Sequence, residues 1–165
     1  MACLSFLASI GLSLSGCADK PAATSGEPTF YKQLAAYSAK VDEPAARDMI
    51  SIYRRNNGLS AISIDPQLQK VAAAQVKAMA EADQLSHTVA GSLMTRLDGA
   101  GFQHSTAVEN VSAGYHTLAE AFSGWRQSPP HNANMLSPAM RRMGIATAYA
   151  PGSKYKVFWA LVMTD

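Results

Sequence analysis

Residues 155–163 read Tyr155-Lys156-Val157-Phe158-Trp159-Ala160-Leu161-Val162-Met163. From Phe158 to Met163 every residue is apolar. Side chains of a strand alternate between its two faces, so this strand is apolar on both. A strand of that kind is stable only when it is covered from both sides. Just upstream, Gly144–Ala150 and the turn residues Pro151-Gly152 complete a hairpin, and residues 107–112 (AVENVS) read as a further short strand. The fold class expected is therefore α+β, a three-layer α-β-α sandwich with a small antiparallel sheet between helices.

The covering helices are legible from their punctuation. Asp42 caps a helix in which Ala46, Met49, Ile50 and Tyr53 recur at helical spacing. Arg54 and Arg55 suit its last turn, and Asn56-Asn57-Gly58 stops it. Asp65-Pro66 opens a second helix with the stripe Leu68, Val71, Ala72, Val76 and Met79, running to about Gln84. A third, shorter helix starts near Ser92, carries Leu93, Met94 and Leu97, and stops at Gly99–Gly101. Thr117-Leu118-Ala119-Glu120 is a capping box that leads into Ala121, Phe122 and Trp125. Ser128-Pro129-Pro130 ends that helix and reads as non-helical. A last short helix is expected over 131–136, with His131 at its start. Residues 30–41 (FYKQLAAYSAKV) are taken as a peripheral helix.

The chain has 165 residues, 48% apolar and 16% charged, enough for one self-sufficient core. Its 14 basic and 12 acidic residues leave a charge of +2, which gives no electrostatic case for a nucleic-acid partner. There is no glycine-rich phosphate loop and no pair of Cys-x-x-Cys clusters.

Residues 1–16 (MACLSFLASIGLSLSG) carry no charge and read as a secretory signal peptide, too short to span a bilayer comfortably. They end Leu14-Ser15-Gly16-Cys17, which resembles a bacterial lipobox, although no Lys or Arg precedes the apolar run. The resemblance implies lipidation of Cys17 and a membrane partner reached through that anchor, since two or more acyl chains hold a protein stably. Ala18 after the lipidated cysteine fits an outer membrane, with the protein facing the periplasm of the cell envelope. Residues 17–41 then form a tether and peripheral segment. Both cysteines, Cys3 and Cys17, precede residue 18, so the domain over 42–165 folds without a disulfide.

Among the four histidines, His87 lies just beyond the second helix and His131 follows Pro129-Pro130, while Glu109 sits on the short strand. Each is at an end or edge where side chains from separate segments can converge. His104 and His116 lie in loops, where surface roles are the default. Trp125, Trp159 and the methionines fit core packing.

The ordered set Tyr53-Arg54, Gly58-Leu59, Asp65, Leu68, Met79, Ser86-His87, Glu109-Asn110, Trp125, Ser128, His131, Asn134, Leu136 and Met143-Gly144 resembles the CAP superfamily. That superfamily holds the cysteine-rich secretory proteins, insect antigen 5 and plant pathogenesis-related proteins. The resemblance covers residues 46–163 and is closest to compact bacterial members. It implies a three-layer fold and a cleft lined by two His and two Glu, the His pair able to hold a divalent metal such as zinc. His87 matches the first histidine, Glu109 the first glutamate and His131 the second histidine. Ser128 occupies the place of the second glutamate, so three of the four are present. Asn110 and Asn134 are expected to hydrogen-bond backbone around the cleft. A helix N-terminus disfavours imidazolium, so His131 is expected to be neutral.

Three functions follow as alternatives. The favoured one is a lipid-anchored binding module whose cleft takes a small-molecule or lipid ligand, with a divalent ion held weakly at His87 and His131. A hydrolase would use Ser128 with His131 and Glu109, or a metal-activated water, although no nucleophile elbow precedes the serine. A scaffold would touch cell-wall polymer or another envelope protein without cleft chemistry. Fold membership alone does not choose between them.

Overall fold

The strand with two apolar faces is β4, Lys156–Thr164, in a computed structural model that describes residues 26–37, 39–103 and 106–165. The segment expected to be a signal peptide, Cys3, Cys17, the start of the expected tether and His104 lie outside the described residues. β4 pairs antiparallel along its length with β3, Arg142–Ala150, and on its other side with β2, Ala107–Ala113. A two-residue strand β1, Ser63–Ile64, joins β3 in parallel, giving the order β1-β3-β4-β2. The sheet is thus antiparallel, as expected, apart from this short pair. Two residues give no periodicity to read, and β1 is held by Ser63 N–H donating to Arg141 O and Asp65 N–H to Met143 O.

Alternation along β4 divides the core into two. Val157, Trp159, Leu161 and Met163 pack on one side with α1 (Glu43–Asn56), α4 (Leu118–Gln127) and α5 (Pro129–Met135). Phe158, Ala160 and Val162 pack on the other with α2 (Pro66–Ala82) and α3 (Leu93–Gly99). These are the three layers. The chain crosses α2 at close range at Gly144 on β3, where an added Cβ would come within 2.1 Å of the Leu68 carbonyl carbon. Backbone touches backbone there, and the small Ala146, Ala148 and Ala150 continue the close face beside α2. Among the described residues no helix is long and apolar enough to cross a membrane.

The caps form as the sequence dictates. Asp42 accepts from Ala45 N–H, Asp65 from Gln67 and Leu68 N–H, and Ser92 from Thr95 N–H. Thr117 and Glu120 make the reciprocal capping box.

Two expectations need correction. The described residues of 30–41 do not form a helix: a 3-10 turn over Thr29–Tyr31 is followed by irregular chain. Leu34 and Val41 are buried and pin the segment by packing at two separated points, which needs no helical face. Ser128-Pro129-Pro130 ends α4 at Gln127 as expected, but the two prolines are not non-helical: they are the first two positions of α5, where proline's missing N–H costs nothing and its fixed φ suits a helix. α5 therefore starts two residues earlier than expected, with Ser128 as its N-cap. Arg54 lies in the last turn of α1, as expected, and is fully buried there. Its guanidinium donates to the carbonyls of Ser60 (2.9 Å), Met135 (2.7 Å), Ser137 (2.9 Å) and Met140 (2.9 Å). Burial, and then the charge of Arg141, pull its pKa below the ordinary value. The four acceptors offset that loss of water, and they tie α1 to the C-terminal end of α5.

Candidate functional site

β2 lies at the edge of the sheet, and successive residues on it face opposite helical layers. Val111 packs in the core beside α2 and α3, so Glu109 two residues earlier faces that layer. Asn110 faces the other: its side-chain N–H donates to His131 O on α5 at 3.0 Å. Asn134 donates from one nitrogen to Glu109 O (3.0 Å) and to Asn110 Oδ1 (2.9 Å). The two amides staple α5 to the outer edge of β2, as their expected backbone role requires. Further along the same face of β2, the buried Trp125 indole donates to Ser112 Oγ at 3.1 Å.

Glu109 is 6% exposed, and both its carboxylate oxygens are engaged. Oε2 lies 2.9 Å from His87 Nδ1, and Oε1 accepts from Arg96 Nη2 at 2.8 Å. Arg96 is itself buried at the side chain, and its remaining bonds go to backbone: Nε to Gly91 O at 3.1 Å and Nη2 to His87 O at 3.3 Å. One guanidinium thereby holds the loop that carries His87 and the acid that orients its ring. The ionised carboxylate can only accept, so Nδ1 carries the proton and the Nε2 lone pair is left for a ligand. The His87 side chain is 57% exposed, and it can offer that lone pair to solvent.

His131 approaches from the opposite layer. Its pKa is lowered first by burial and next by the charge of His87. The neutral form expected at this position is favoured, but desolvation leads the causes rather than a helix terminus. Sitting at the third residue of α5, His131 is also further into the helix than the sequence indicated.

The structure thus brings His87, Glu109, Asn110, His131 and Asn134 to one edge of the sheet. Ser128 caps α5 at its backbone but makes no side-chain cap bond. Since Glu109 engages His87 and Arg96, the hydrogen-bonded chain Ser128–His131–Glu109 is not formed. Among the described residues no three His, Cys, Asp or Glu side chains gather into a metal-binding group. What a divalent ion would meet is two imidazoles, with Glu109 acting behind His87 rather than as a ligand. This carboxylate–histidine arrangement fixes a ring's tautomer and raises its basicity. Two nitrogen ligands suit a weak, exchangeable ion with open positions.

Sequence reasoning missed Arg96. Its spacing held a signal: Leu93, Arg96 and Leu97 stand at i, i+3 and i+4, so a cation falls within the apolar stripe of α3.

Comparison with known proteins places this geometry. The model of the CAP family, the cysteine-rich secretory protein family, matches residues 47–163. No curated protein matches the chain. Among solved structures, an outer surface protein from Borrelia burgdorferi is similar with a TM-score of 0.67 at 19% identity, over 77% of this chain and 97% of that one. An extracellular protein containing an SCP domain from Bacillus anthracis gives 0.65 at 24% identity, over 73% of this chain and 39% of that one. A cysteine-rich secretory protein from Staphylococcus aureus gives 0.62 at 16% identity, over 73% and 37%. The chain spans under two fifths of the last two proteins, and at these identities the likeness is one of fold. With the family match extending over most of the sandwich, from α1 to the end of β4, the chain belongs to the CAP, or cysteine-rich secretory protein, family.

Proposed function

We propose that this CAP domain is an extracytoplasmic binding module whose cleft at the β2 edge takes a small or lipidic ligand. In this reading His87 and His131 face the ligand and hold a divalent ion such as zinc weakly. The observation that carries it is the Glu109–His87 pair, 2.9 Å apart, which orients a solvent-exposed imidazole, while burial favours the neutral form of His131. A bound ion would supply Lewis acidity and an exchangeable coordination position, while Arg96 balances the Glu109 charge and keeps the site from accumulating negative charge. Exposed Leu85 and Met94, on the chain segments that flank His87, supply apolar surface for a lipidic ligand. Lipidation of Cys17 would hold the domain at the envelope with a short tether, facing the periplasm from the outer membrane. The extracellular and outer-surface descriptions of the Bacillus and Borrelia proteins support an envelope or extracellular location.

The test is zinc titration of the purified chain by calorimetry at pH 7.5, with mass spectrometry of whatever co-purifies from the envelope. Weak uptake that His87→Ala and His131→Ala each abolish is the expected result. Uptake unaffected by both substitutions would remove the two-imidazole site. A co-purifying ligand retained by the double variant would move the binding site elsewhere.

A further inference from the structure

The opposite edge of the sheet carries a second recognition surface. β1 covers β3 only at Arg142 and Met143. Beyond it, residues 145, 147 and 149 turn their N–H and C=O groups away from β4. Met143 O on that side accepts from Asp65 N–H, and the next outward N–H, that of Ile145, is taken by Gln69 Oε1. By the same alternation the N–H and C=O of Thr147 and Tyr149 point outward, and no described residue pairs with them. An open edge of this kind is a template for another strand.

The space beside it is shaped for one. A hollow of about 290 Å³ runs along Ile145–Thr147, walled by Val41 and Glu43 from the α1 layer and by Gln69 and Ala73 from α2. Lys40 stands on one wall and Lys70 on the other, both exposed, so two cations flank the slot against the one acid, Glu43. Further along, Tyr37 stacks edge-on against Tyr149 with ring centroids 5.3 Å apart, and marks the far end. Lysines beside a bare edge repel a second basic strand and attract an acidic one.

We propose that the β3 edge binds an extended acidic segment of a partner protein, which adds a fifth strand to the sheet. Main-chain hydrogen bonds to Thr147 and Tyr149 give the affinity, and Lys40 and Lys70 select acidic side chains on the incoming strand. The surface lies across the sheet from His87 and His131 and is independent of ligand binding there.

The experiment follows the amide resonances of the full chain while the hexapeptide Val-Glu-Val-Glu-Val-Glu is added, with Val-Lys-Val-Lys-Val-Lys as its counterpart. Expected are shifts and slowed hydrogen exchange at Thr147 and Tyr149 with the acidic peptide. Thr147→Pro, a substitution an edge strand with an outward N–H tolerates, should weaken binding at least about tenfold at unchanged fold. Lys40→Glu with Lys70→Glu should reverse the preference between the peptides. Equal binding by the folded Thr147→Pro variant, shifts centred on His87 instead, or no binding of either peptide would overturn the proposal. So would protection of these amides in the free chain. If it rises with protein concentration, the occupant is a second copy; if it does not, the chain fills its own edge.

Discussion

At the β2 edge, each helical layer lays side chains on the strand: His87 and Arg96 hold the Glu109 carboxylate from one side, and Asn134 bonds Asn110 and takes the outward carbonyl of Glu109 from the other. At the β3 edge, past Gln69, the corresponding groups of Thr147 and Tyr149 are left bare between two lysines. The two margins belong to one sheet and have the same backbone chemistry. They differ in what the layers above and below supply. α5 and the loop after α2 lay polar side chains against β2, whereas α2 meets β3 at backbone distance at Gly144 and, among the described residues, bonds its outer margin only through Gln69. One edge has therefore become a polar cleft and the other a slot for backbone.

The close approach beside β3 is the first place to break this contrast. Gly144→Ala puts a methyl within 2.1 Å of the Leu68 carbonyl carbon, and the obstacle is helix backbone, which cannot rotate aside. The expected loss of stability exceeds the ~3 kcal/mol at the upper end of ordinary overpacking, read by chemical denaturation. Gly152→Ala, at a turn position where nothing lies within 4 Å, is the control and should change little. Equal effects at the two glycines would mean that α2 does not set the spacing.

On the cleft side the matching change is Arg96→Met. It strands the Glu109 carboxylate, buried and supported only by His87, and should cost about 3 kcal/mol. Adding Glu109→Gln should recover part of that loss, because the uncompensated charge goes with it. A double-mutant cycle with no coupling between positions 96 and 109 would show that the ion pair does not organise the edge.

How far these two edges could be read from sequence depends on the range of the interactions that build them. The two-faced strand, the caps at Asp42, Asp65, Ser92 and Thr117, and the hairpin turn are local patterns, and each is where it was expected. The convergence of His87, Glu109 and His131 was reached through resemblance, since no local pattern brings residues 87 and 131 together. The burial of Arg54 and the role of Arg96 went unread for one reason. Each stands in an apolar stripe, Ala46-Ile50-Arg54 and Leu93-Arg96-Leu97, and a cation there becomes structural only if distant acceptors await it. Those acceptors are carbonyls of Met135, Ser137 and Met140 for one, and Glu109 for the other. The bare edge of β3 was equally hidden, because an open margin is a property of strand order.

A smaller effect is expected at the helix that borders the β3 slot. Asp42 caps α1, and its pKa is lowered from 3.8 by the Ala45 N–H bond first, then by a bond from Thr29, with Lys32 adding to it. A depressed carboxylate stabilises the fold above its unfolded value, and the contribution disappears as pH falls through the folded one. Asp42→Ala should therefore cost about 1 kcal/mol at neutral pH and less once the medium is well below pH 3.8, where the charge is gone though the neutral carboxyl can still accept from Ala45 N–H. A cost that does not fall in acid would show that the charge adds nothing to the cap.

The smallest effect sharpens the cleft. His131 has its folded pKa below the ordinary 6.5, through burial and then the nearby His87 charge. Between the folded value and 6.5 the unfolded chain holds more protons than the folded one, so stability rises with pH across that window. Lowering the pH from 7.5 through 6.5 should lower Tm, and the decline should level off once the medium is below the folded value. Substituting His131→Asn removes this titration and should flatten that part of the curve while leaving the acid limb set by Asp42 in place. An unchanged slope in the variant would place the imidazole in open water. β2 would then lack the sheltered ring that separates its edge from that of β3.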